Sequence, residues 1–120
     1  MKRNQRLHKT IDFQILYRAG YKITLRGLIL YYHPSHTAEH RMGIVISRKI
    51  GHAVIRNRFK RHMRVLFHLF QTKINTFGDL VWVATRPSIT RLSFEALQNR
   101  VNDGLNQLNL HLQNTREAQA

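Results

Sequence analysis

A chain of 120 residues, 42% of them apolar, has the length of one compact domain and enough hydrophobic content to build a core, which argues against a disordered chain. Twenty Lys and Arg face six Asp and Glu, a net charge of +14 with His neutral, and self-repulsion on that scale calls for a polyanionic partner, nucleic acid before anionic membrane. The absence of cysteine removes disulfides, cysteine-ligated zinc and thiol nucleophiles.

Residues 1–9 are basic, have no apolar run of the signal-peptide kind, and are expected to be flexible unless something holds them. Thr10 is placed to cap a short helix, with Asp12 in its first turn and Gly20 as its stop. A short extended piece over residues 21–26 precedes a strand at 28–32. His33-Pro34-Ser35-His36 is turn-like, because Pro donates no backbone hydrogen bond and restricts the residue before it. Residues 42–47 form a β-branched strand, and 48–52 a basic loop containing Gly51. Residues 53–70 carry the clearest helical period: Ile55, Phe59, Met63, Leu66 and Phe70 share one face. Residues 80–84 form a short apolar strand ended by Arg86-Pro87. Ser93 is placed to cap a last helix with Phe94, Leu97, Val101, Leu105, Leu108 and Leu112 on one face, weakened by Gly104 by up to about 1 kcal/mol relative to Ala. Residues 113–120 read as a frayed C-terminal tail, leaving a single domain over 1–112. The order is that of an α+β domain. No apolar stretch reaches the roughly 18–20 residues needed to span a bilayer, so a cytoplasmic protein is expected.

The charge is uneven. Residues 48–64 hold Arg48, Lys49, Arg56, Arg58, Lys60, Arg61 and Arg64, and no acid occurs between His40 and Gly78. From Asp79 onward four basic residues meet four acidic ones, which marks the last third as scaffold. Arg56, Lys60 and Arg64 recur at steps of four beside the apolar stripe. Like charges at that spacing destabilise an isolated helix unless a polyanion relieves them. An ordinary solvated face carries mixed signs; this one carries a single sign, and Arg presents a planar fork of donors suited to phosphate.

The aromatic residues are less decisive. Phe13 and Tyr17 share a helical face, and Tyr31 and Tyr32 must point to opposite faces of a strand. Exposed rings beside a basic helix suit single-stranded RNA, but the pattern alone favours ordinary core packing for each ring. His36 and His40 have helix-like ligand spacing, but Pro34 and Ser35 argue against a helix, and no Glu or Cys completes a metal set. The six acids are isolated in sequence, so nothing points to a carboxylate-held metal nuclease.

From Ser47 to Arg64 the chain reads Ser, a basic pair, Gly51, then Ala53-Val54, Arg56-Asn57-Arg58 and Lys60-Arg61. This resembles the signature of bacterial ribonuclease P proteins, and the likeness extends over roughly residues 6–110. Arg6-Leu7 with Asp12-Phe13 is similar to the family's opening helix, Leu30-Tyr31 to its first strand region, and Gly78-Asp79 through Arg86-Pro87 to its last strand. His52 departs from the family's usual Asn, and Val65 from a common acid. The resemblance implies a helix, three strands, a helix, a strand and a helix, with a central four-stranded sheet and a left-handed β-α-β crossover. It implies the accessory protein subunit of a ribonucleoprotein endoribonuclease. In that enzyme a catalytic RNA, with magnesium ions, removes the 5′ leader from precursor tRNA. It implies that Arg48, Lys49, Arg56, Asn57, Arg58, Lys60, Arg61 and Arg64 face RNA, and that Phe13, Tyr17 and Tyr31 line a cleft for the single-stranded leader. No catalytic residue, no metal or other cofactor held by the protein, no membrane and no stable protein partner are expected. A structural RNA-binding protein of the ribosomal type shares the basic helix but needs no leader cleft. A membrane-surface protein would share its amphipathic form.

Overall fold

The computed structural model describes residues 5–7, 9–34, 39–74 and 77–119. The elements run α1 (Thr10–Ala19), β1 (Tyr21–Leu25), β2 (Leu28–Pro34), β3 (Arg41–Val45), α2 (Ala53–Phe70), β4 (Gly78–Ala84) and α3 (Phe94–Gln119), an α+β fold. The strands form one sheet in the order β1-β2-β4-β3. β2 pairs antiparallel with β1 and β4, while β3 lies parallel to β4. A parallel pair needs a crossover, and α2 supplies it.

Strand alternation divides the sheet into two unlike faces. Leu28, Leu30 and Tyr32 of β2, Met42 of β3 and Leu80, Trp82 and Ala84 of β4 point to one side. There they meet Phe59, Met63, Leu66 and Phe70 of α2 and Leu97, Val101, Leu105 and Leu108 of α3. Each fully buried side chain of this kind contributes roughly 1.5–3 kcal/mol, so this layer dominates the stability. Tyr31 and Val81 point to the other side, where α1 lays Leu16 against Val81, and Leu7 completes a small second cluster.

Several local expectations change in three dimensions. Residues 5–7 are held: Arg6 bridges to Met42, the Leu7 N–H donates to the Met42 carbonyl at 3.0 Å, and Leu7 is buried. They extend the sheet beyond β3 and lie outside the opening helix. Thr10 is the first helical residue rather than the cap, and the preceding Lys9 makes no side-chain cap. Gly20 is needed for close approach and not for a left-handed turn: its φ is −74°, and a Cβ there would collide with the Leu16 carbonyl oxygen. His33 and Pro34 are not a turn but the end of β2, paired with Asp79 and Gly78; Pro at a strand end forfeits little. Ser35 and His36 lie outside the described residues. Ser93 does cap α3, its Oγ accepting the Ala96 N–H at 3.1 Å. The expected frayed tail is instead helical, since α3 continues to Gln119. Gly104 has a packing role that propensity hides: a Cβ there would lie 2.9 Å from Leu25 and 3.1 Å from the Trp82 ring.

Candidate nucleic-acid interface

α2 separates its apolar and cationic sides as its periodicity requires. Phe59, Met63, Leu66, Phe67 and Phe70 are buried, and Ile55 is half-buried. Asn57, Arg58 and Arg61 are exposed, while Arg56, Lys60 and Arg64 flank the buried stripe and are half-buried. Arg48 and Lys49 stand exposed in the turn before the helix. The first turn of α2 contains no acid, so its cations add to the positive end of the helix dipole instead of balancing it. The Arg56 Nε is buried without a protein partner. Arg58 is partly engaged within the protein, donating to the Thr90 carbonyl at 3.0 Å.

His52 occupies the N-cap of α2 and makes no side-chain cap hydrogen bond. Asn is among the strongest N-cap residues, which gives the position a physical meaning: what His52 forgoes is a cap. His62, which sequence spacing did not single out, lies within the cationic arc with its ring edge-on to Phe94 at 5.3 Å. Burial, followed by Arg58 and Arg61, holds its pKa below the usual 6.5.

The other face of the sheet presents the aromatic group. The Tyr17 and Tyr31 rings meet edge-to-face with centroids 5.0 Å apart. Tyr17 is 45% exposed and Tyr31 half-buried, whereas Tyr32, on the opposite face, is 2% exposed. Burial, followed by the neighbouring Tyr31, raises the Tyr17 pKa above its usual value, so the Tyr17 ring stays neutral near pH 7. Lys22, which pairs with Tyr31 across β1 and β2, places its ammonium 6.0 Å from the Tyr31 ring. Strand register, which composition does not reveal, brings this cation to the site. Phe13 is half-buried over Gly43, where a Cβ would come within 2.8 Å of the ring. Beside it, Arg6, Leu7, Phe13, Gly43, Lys60 and Arg64 line a cleft of about 420 Å³ along β3, so the cationic and aromatic groups approach one another there.

Acids are kept out of this surface by internal pairing. Asp79 is buried, and Arg41 grips it with two hydrogen bonds of 2.8 and 2.6 Å while also reaching Asp12 at 3.6 Å. One guanidinium thus ties the start of α1 to β3 and β4. Tyr21, the remaining aromatic of the N-terminal half, stacks on His111 of α3 at 3.5 Å, away from Tyr31. His40 is buried against Phe77; His36 lies outside the described residues, and among the described residues no three metal-ligating side chains gather. Among the described residues no helix is long and apolar enough to cross a membrane.

Comparison with known proteins gives a consistent result. Residues 1–109 match the family model described as ribonuclease P. A protein of Listeria innocua named ribonuclease P protein component is 37% identical over 89 residues, covering 73% of this chain and 75% of that one. A second of the same name, from Alkaliphilus metalliredigens, is 31% identical over 99 residues, covering 82% and 88%. Among solved structures, the Staphylococcus aureus RNase P protein superposes with a TM-score of 0.77 at 30% identity, covering 85% of this chain and 93% of that one. The RNase P protein from Thermotoga maritima gives 0.75 at 26%, covering 87% and 94%.

Proposed function

This chain belongs to the ribonuclease P protein family, and from that premise we propose that it is the accessory subunit that helps a catalytic RNA remove the 5′ leader from precursor tRNA. The observation that carries this reading is the pairing of two unlike surfaces. The single-sign cationic side of α2 stands opposite its buried stripe. The solvent-accessible Tyr17–Tyr31 pair stands on the sheet face that α1 covers only in part. Cations without intervening acids bind a phosphate backbone irrespective of sequence, and this suits Arg48, Lys49, Arg56, Arg58, Lys60, Arg61 and Arg64, with Asn57 among them, to the large RNA. Accessible rings stack on unpaired bases, and this suits the exposed Tyr17, with half-buried Phe13 and Tyr31 beside it, to a single-stranded leader. Lys22 adds a cation beside those rings for the leader phosphates.

The chain's own contribution is binding and orientation. Asp12 and Asp79 are both turned toward Arg41, which engages their carboxylates within the protein. The magnesium of the reaction is assigned to the RNA, which supplies the chemistry. Mixing the purified full chain with its ribonuclease P RNA and 5′-labelled precursor tRNA at low magnesium tests this. Leader release is expected only when RNA and protein are both present, and Tyr17→Ala with Tyr31→Ala should raise KM more than they lower kcat. Cleavage by RNA-free protein would refute the division of labour. Unchanged leader affinity in the Tyr variants would leave only structural RNA binding.

A further inference from the structure

The cationic surface does not end with α2. Leu28 pairs with Ala84, and Val45 with Val83, so the β1–β2 turn, the β3–α2 loop and the segment after β4 share one end of the sheet. Arg26, Arg48, Lys49, Arg86 and Arg91 are all exposed there. Within that end Arg26, Ser88, Leu92 and Arg100 line a pocket of about 480 Å³, with no carboxylate among its lining residues. Three of the four basic residues in the charge-balanced last third, Arg86, Arg91 and Arg100, thus gather at one place. The carboxylates nearest in sequence, Glu95 and Asp103, form no ion pair with Arg26 or Arg100 among the described residues.

The pocket is held firmly. The Arg100 guanidinium donates to the Arg26 carbonyl, and the Thr85 N–H donates to the Gly27 carbonyl at 2.9 Å. Gly27 has φ 77°, which glycine accommodates without strain, and a Cβ there would meet Ile89, Arg86 and Ser88 at 3.5–3.8 Å. The Arg58 bond to the Thr90 carbonyl joins the Pro87–Arg91 turn to α2, making the two cationic surfaces continuous.

We propose that the Arg26–Ser88–Arg100 pocket binds a backbone phosphate of the same RNA that α2 engages, as a second anchor at the end of the sheet. The inference rests on the RNA-binding function proposed above. Two guanidinium groups and a hydroxyl supply the donors that a phosphate takes, and Leu92 offers an apolar wall to the adjoining ribose. The turn is fixed before binding, so little ordering is required of it.

The test compares the full-length chain with Arg26→Gln/Ser88→Ala, which removes exposed side chains and keeps the Arg26 carbonyl that Arg100 holds. Lys73→Gln, at the far end of α2, removes the same charge and serves as control. The probe is the transcribed ribonuclease P RNA of the same cell, titrated over a range of KCl. The pocket variant should bind roughly tenfold more weakly than the control, with a log–log salt slope shallower by about one. Equal affinities for pocket variant and control would overturn the phosphate site. If Arg61→Gln still weakened binding in that case, RNA binding by α2 would stand; if it too had no effect, that function would fall as well. Weaker adsorption to phosphatidylserine vesicles with unchanged RNA affinity would assign the pocket to lipid and also overturn the proposal.

Discussion

α2 and the aromatic face beside α1 are built differently. On α2, one helix carries both its buried stripe and its cationic arc, so a single period of 3.6 residues fixes which side is free. The aromatic face is assembled from α1 and β2, with Lys22 brought in by β1, and it exists only after the sheet has formed. α2 therefore tolerates loss of individual cations without loss of fold, whereas the aromatic face depends on the contacts that seat α1.

The largest effect should come from attacking α2's charge alone. Lys60→Gln/Arg61→Gln/Arg64→Gln is expected to weaken RNA binding by about 10²–10³-fold and to lower the salt slope by two to three, while thermal unfolding changes little. A large loss of stability would mean that the cationic arc is structural. Seating of α1 is probed next. Asp79→Asn removes the charge that Arg41 grips and should cost about 1–3 kcal/mol by denaturant titration. If leader binding falls further than the unfolded fraction explains, the aromatic face depends on the seating of α1 through Arg41. Tyr31→Ala should then cost roughly 1–3 kcal/mol in affinity for a leader-bearing RNA and nothing for the same RNA without a leader. An equal loss for both would make Tyr31 a packing residue only.

Smaller effects refine the comparison. His52→Asn restores a favoured N-cap and should stabilise the protein by about 1 kcal/mol, read as a shift in denaturation midpoint. The pH dependence works through His40 and His62, whose folded pKa values lie below the usual 6.5, in both cases chiefly through burial. The unfolded chain then binds protons that the native state refuses. Stability is fully present above about pH 6.5 and falls as the pH drops through the window beneath it. Denaturant midpoints at pH 7.5 and 5.5 should therefore differ, and His62→Gln should narrow the difference. A midpoint that rises on acidification would contradict the burial of these rings.

How much was legible beforehand follows from the range of the interactions involved. The limits of α2, the Ser93 cap and the opposite facing of Tyr31 and Tyr32 are local consequences of period and hydrogen-bonding type, and all are present in the structure. Gly104 misled because helix propensity says nothing about the Trp82 ring packed against it. The tail misled because polar residues without an apolar stripe can still continue a helix nucleated and held upstream. Leu7 was missed because its partners, Leu16 and Val81, lie on other elements.

Charge sign and helical period are properties of consecutive residues, so the order of amino acids already dictates a dense cationic helix with one side committed to a core. It takes the folded sheet to turn Asp79 and Asp12 inward onto Arg41, to bring Lys22 and Tyr17 together at Tyr31, and to place Arg26 and Arg100 in one pocket with Ser88. Those arrangements join residues tens of positions apart. Their positions are set by strand register and crossover, which follow from burying the whole sheet at once and from no single stretch of chain.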